Sequence, residues 1–213
     1  MADIKLIGKE LAAHIPFTAF GAATGIGIML IIIFGNVSRN ISYMAFYIFH
    51  PLHILLSALV TTSMYLKYSK EKWLLLCAVL IGYWGSVGIC TISDIILPYF
   101  GGILFGAEME FELGFIAKWW LVNPLAFVGI AIAHWKPITK CPHMGHVLLS
   151  TWASLLYFTA FGVADWYPLL PIVFLILFVA VWFPCCFSDI IFPLLFIREK
   201  KSHLHGHHKA MGI

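Results

Sequence analysis

The chain has 213 residues, of which 62% are hydrophobic and only 11% charged, with a mean hydropathy of +0.94. Soluble domains carry about 25% charged residues, so water is excluded as the solvent for most of this chain. The formal net charge of +3 comes with no basic groove and stacking aromatics, which excludes nucleic acid as a partner.

In chain order there are six apolar segments, roughly 15–35, 42–66, 73–99, 115–134, 143–163 and 168–196. Each is near the ~20 residues that cross a bilayer as a helix. The expected fold class is an all-α integral membrane protein with six transmembrane helices. Lys5 and Lys9, followed by an apolar run with no convincing small-residue cleavage site, read as the start of a first span. Gly21 with Gly25, and Gly82 with Gly88, allow close helix approach. Asn123-Pro124 frees a carbonyl and kinks the fourth segment. Trp119, Trp120, Trp135 and Trp166 lie near segment ends and read as an interfacial belt.

Charge assigns the sides. One set of ends carries Lys5, Lys9, Lys67, Lys70, Lys72, Lys136, Lys140, Arg198, Lys200, Lys201 and Lys209. The other carries only Arg39 and Lys118 among cations, with Glu108, Glu110, Glu112 and Asp165. The positive-inside rule then expects a multi-pass protein of the plasma or inner membrane with both termini cytoplasmic.

The polar residues inside the apolar segments repeat. His50-Pro-Leu-His53-Ile-Leu-Leu-Ser57 is echoed 93 positions later by His143-Met-Gly-His146-Val-Leu-Leu-Ser150. Cys90-Thr-Ile-Ser93-Asp94-Ile-Ile-Leu-Pro98 is echoed 95 positions later by Cys185-Cys-Phe-Ser188-Asp189-Ile-Ile-Phe-Pro193. The expected organisation is a first three-helix repeat over 1–107, a second over 108–199, and a His-rich cytoplasmic tail over 200–213. Three spans per unit is odd, so the second unit enters from the opposite face, a 3+3 inverted-topology repeat of the kind common in transporters.

These residue types bind transition metals. Imidazoles at i and i+3 share one helix face, and a Cys four residues before an Asp shares a face with it. The expected metal ligands are His50, His53, Asp94 and Cys90 near the outer face, and His143, His146, Asp189 and Cys185 near the inner face. An N/O/S set of this kind suits a divalent transition metal, Zn²⁺ or Fe²⁺, over the hard ions Mg²⁺ and Ca²⁺. Ser57, Ser93, Ser150 and Ser188 would orient the ligands. A single His-x-x-His in a membrane helix is more often an interfacial or hydrogen-bonded pair, and a lone Cys there is commonly filler; the repetition of both patterns in order favours a site.

Around these sets lie accessory features. Glu108, Glu110 and Glu112 form an acidic mouth or an ordinary solvated loop. His14 and His134 lie near the inner set. The tail from Lys200, with His203, His205, His207 and His208, binds late transition metals loosely or is a disordered basic tail. The five Cys, with Cys77, Cys141 and Cys186 beside the two repeated ones, form no secreted disulfide framework.

The function expected is membrane transport of the metal, with one His/His/Asp site near each face. The alternatives are a metal-dependent membrane enzyme (a zinc hydrolase or iron oxidase of a lipid-soluble substrate), a haem protein, and a permease with structural metal. No phosphate-cradling glycine loop, nucleophile elbow or His-Glu-x-x-His is present, so no catalytic residue is assigned and enzyme activity is the less favoured reading. The partners are the bilayer and the ion, with homo-oligomerisation admitted.

Overall fold

The computed structural model describes residues 4–69, 74–138 and 140–196. They form α1 (Ile4–Phe34) and α2 (Arg39–Tyr68), followed by a third rod. That rod contains α3 (Leu74–Tyr83), a π-turn (Trp84–Gly88), α4 (Ile89–Thr91), a second π-turn (Ile92–Ile96) and α5 (Leu97–Leu104). Next come β1 (Glu108–Met109), α6 (Gly114–Ala117), α7 (Trp119–Trp135) and α8 (Lys140–Phe161). The last stretch is β2 (Gly162–Val163), α9 (Trp166–Cys186), a third π-turn (Phe187–Ile191) and α10 (Phe192–Leu195). The molecule is all-helical apart from the two-residue ladder in which Glu108 pairs with Val163 and Met109 with Gly162.

Among the described residues, four helical stretches are long and apolar enough to cross a membrane: Ile15–Phe34, Arg39–Tyr68, Leu75–Leu104 and Trp166–Asp189. The two other expected spans differ in kind. α7 has 17 residues, and the described residues of α8, 22 residues long, include Ser150, Thr151, Ser154 and Thr159, which are all buried. Apolar side chains cover the outside of the bundle: Phe20, Ile31, Leu75 and Leu175 are each about 60% exposed or more, while Asp94, Asp189, Ser57 and Ser150 are fully buried. A polar interior inside an apolar exterior reverses the order that water imposes. It is the order expected with lipid as the solvent, because buried polar groups must then satisfy one another.

α2 sits at the centre, packed against α7, α8 and the third rod, while α1 lies across α8 and α9. Glycine allows two of these approaches. A Cβ on Gly129 of α7 would meet the Leu55 carbonyl and come within 2.9 Å of the Ala58 Cβ on α2. One on Gly21 of α1 would stand 2.8 Å from Thr151 Oγ1 on α8. Trp119, Trp120 and Trp135 flank α7 and are exposed, as an interfacial belt would be.

Candidate metal centre

His50 and His53 follow one another on the inward face of α2, three residues apart, so their rings stand one turn apart on the same side. The π-turn at 92–96 carries Asp94 against them. Nδ1 of His50 and Nδ1 of His53 both donate to Asp94 Oδ2, at 2.8 and 2.6 Å. Asp94 Oδ1 accepts from Ser93 Oγ at 2.8 Å, Ser150 Oγ at 3.0 Å and Ser154 Oγ at 3.5 Å. A π-turn leaves a carbonyl outside the regular ladder, and Ser154 Oγ also donates to the Ser93 carbonyl at 3.0 Å.

The second copy repeats this arrangement with the helices exchanged. Asp189 lies in the π-turn at 187–191, and His146 Nε2 stands 3.6 Å from its Oδ2. Its Oδ1 faces Ser57 Oγ at 3.5 Å and Thr61 Oγ1 at 3.4 Å, both from α2. Thr61 also donates to the Ser188 carbonyl at 3.2 Å, as Ser154 does to that of Ser93. Each carboxylate therefore draws imidazole from one of the two helices and hydroxyls from the other. Passing from His50 to Thr61 along α2 follows α8 from Ser154 back to His146, so the two helices run antiparallel.

The two motif copies, expected as sets near opposite faces, contribute side chains that stand next to one another. The His53 and His146 rings meet at 4.5 Å, edge to face. α2 begins at Arg39 and ends at Tyr68, which puts His53 at its middle rather than toward an end. Asp94, expected as a ligand beside both imidazoles, is hydrogen-bonded to both of them. A carboxylate oxygen accepting from both Nδ1 atoms orients the rings and leaves Nε2 as their ligating nitrogen.

His53 Nε2 points at sulfur: Cys90 Sγ is 3.5 Å away and Cys185 Sγ 4.0 Å. Ligand atoms of His53, His146 and Cys185 all lie within 4.8 Å of one another, and all three residues are buried. Ligands around a tetrahedral zinc stand roughly 3.3–3.8 Å apart, given Zn–N and Zn–S bonds of about 2.0–2.3 Å. The spacing at His53 is close to that edge length. This buried His/His/Cys group, with Cys90 beside it, can hold a metal ion. His50 is not part of the group, because its Nε2 points elsewhere, toward Gly114.

Comparison with protein-family models, curated proteins and solved structures found no match. The chemistry therefore rests on the geometry alone.

The side chains of His143, Cys141, Cys186 and His14, and the tail from Lys200 with its four His, lie outside the described residues. His134 is exposed at the end of α7. Two acids of the expected mouth are engaged: Glu110 pairs with Arg39 at 2.7 Å, and Glu112 Oε1 accepts from the hydroxyls of Tyr43 and Tyr47. Sequence reasoning missed Thr61 and Ser154. The signal was one turn further along each copy, where His-x-x-His-x-x-x-Ser extends by four residues to a hydroxyl in both.

Proposed function

We propose that this protein carries a divalent transition metal across a membrane through a single buried centre shared by two inverted three-helix halves. The observation that carries the reading is the convergence of His53, His146 and Cys185, one motif copy supplying the first and the other copy the rest. Cys90 completes a two-nitrogen, two-sulfur set beside His53. Such a set favours Zn²⁺ over Fe²⁺. In this reading the fourth and fifth segments, α7 and α8, also span, and both termini lie in the cytoplasm as the lysine distribution indicates. A rocking motion of one half against the other would separate His53 and Cys90 from His146 and Cys185, opening the ligand set to one face at a time. The reciprocal hydroxyls on Asp94 and Asp189 are supporting features, since a two-fold exchange of partners lets both end states use the same kinds of hydrogen bond.

Two measurements test this. Elemental analysis of purified protein should find about one metal ion per chain, where two separate sites would take about two. Zinc loaded on one side of reconstituted vesicles should then cross, and His53→Ala should abolish both binding and flux. Protein that binds the ion and never moves it would transfer the centre to the enzyme or structural-metal reading. Protein that binds none would remove the metal altogether.

A further inference from the structure

His50 has no place in the centre, yet its environment is that of a ligand. Its Nδ1 donates to Asp94, so Nε2 carries the lone pair. That nitrogen is fully buried and has no hydrogen-bond partner among the described residues. The ring is held from two sides, by Asp94 and by Phe46 stacked at 5.0 Å and 9°. The Nε2–Cδ2 edge of the ring lies against Gly114, where a Cβ would stand 2.9 Å from both atoms. Only a glycine lets the backbone cover the imidazole this closely.

Gly114 belongs to a strap, residues 105–118, that crosses the end of the bundle between the third rod and α7. The strap is held by apolar side chains, with Met109 and Leu113 packed on the core around Phe46 and Phe161 and Phe111 on Tyr99, and it is fastened at its acidic residues by polar contacts. The Glu110 amide donates to the Phe161 carbonyl at 2.7 Å, and the Glu112 amide donates to Tyr157 Oη at 3.2 Å. Glu112 is latched by Tyr43 and Tyr47, and Lys118 lies 5.9 and 5.6 Å from the centroids of those two tyrosine rings. The polar contacts exchange with water at small net cost, so they and not the apolar anchors are the part of the fastening that opens most easily.

We propose that the strap is a gate over a transit site in which His50 Nε2 holds the metal ion between the Glu112 carboxylate at the mouth and the His53 centre. The inference rests on the metal reading above. It assigns His50 the role of a passing ligand, the strap that of a cover, and the two tyrosines that of its latch. Opening lifts Gly114 off the imidazole and frees the Glu112 carboxylate in the same movement, because only Leu113 separates them.

The test is the rate at which Co²⁺ loads the full chain in detergent without oxygen, followed by the thiolate-to-cobalt absorption of the Cys-containing centre. Tyr43→Phe with Tyr47→Phe removes the latch hydroxyls and keeps both rings. It should load about tenfold faster, with the same final spectrum and affinity. His50→Asn keeps a donor near the Nδ1 position for Asp94 and removes Nε2. It should load about tenfold slower, again with the wild-type final spectrum. The tyrosine pair decides the matter if the asparagine variant fails to fold. Wild-type rates in the variants overturn the gate while leaving the centre intact. A changed final spectrum in His50→Asn makes His50 a resident ligand and overturns its transit role. A wild-type protein that never develops the cobalt spectrum overturns the centre and the gate together.

Discussion

Asp94 receives hydrogen bonds on both carboxylate oxygens, from two imidazoles on one and from Ser93 and Ser150 on the other. A carboxylate offers about four acceptor positions, so this one is satisfied by protein alone. Its work is orientation: it holds His53 with Nε2 toward the sulfurs. Asp94→Asn keeps the shape but replaces one acceptor with an NH₂ group that faces donors. Metal affinity should fall by about 10–100-fold, the usual effect of losing an orienting partner, as read by competition with a chromophoric chelator. An unchanged affinity would contradict the orienting role. The repeated residue types were legible in the sequence because a second copy separates His, Cys and Asp from the apolar background. The division of labour among them was not. It depends on which ring nitrogen faces the carboxylate, and that is set by the depth and rotation of α2 against the π-turn.

The helices themselves follow from apolar runs bounded by turns and charges, and among the described residues four of the expected segments coincide with helices long and apolar enough to span a membrane. Hydropathy does not register a π-turn, since one extra residue in an apolar rod leaves its composition unchanged. Yet the turns at 92–96 and 187–191 aim Asp94 and Asp189 inward. Packing between elements was partly legible. Gly21 was recognised as a site of close approach, whereas Gly129, which has Ala133 four residues on, was not singled out. A valine at 129 would force its branches against the Leu55 carbonyl and Ala58. Gly129→Val should lower stability by about 1–3 kcal/mol, seen as a reduced melting temperature in detergent. Gly27→Ala is the matched comparison, because a Cβ there meets nothing within 4 Å, and it should leave stability unchanged or slightly raised. Equal losses in both variants would rule out the α2–α7 contact as the cause.

Across the whole molecule, polar groups are collected on the axis between α2 and α8, and the apolar surface is left to lipid. Composition made that class of protein legible at once. The meeting of the two motif copies was not, because linear position along a segment says where a residue lies along the membrane normal only when the helix ends are known. The symmetry of the contacts gives a prediction at this scale. Ser57→Ala removes a hydroxyl that the first copy lends to Asp189, and Ser150→Ala one that the second copy lends to Asp94. Each should reduce stability by about 1–3 kcal/mol, the range for a buried group deprived of a partner, and each should slow zinc flux in vesicles. Strongly unequal effects would count against two equivalent halves.

The ribosome delivers this chain from one end, and the exchanged hydroxyls make assembly depend on that order. Asp94 enters the bilayer beside His50 and His53 while Ser150 and Ser154 are still unsynthesised. Ser57 and Thr61, already inserted, wait for an aspartate that lies 132 positions after Ser57. A chain arrested before α8 therefore holds in lipid a carboxylate with part of its shell missing, a state that is costly in hydrocarbon. Insertion of α8 and docking of the π-turn at 187–191 close both shells, so commitment to the native bundle waits until both motif copies are present.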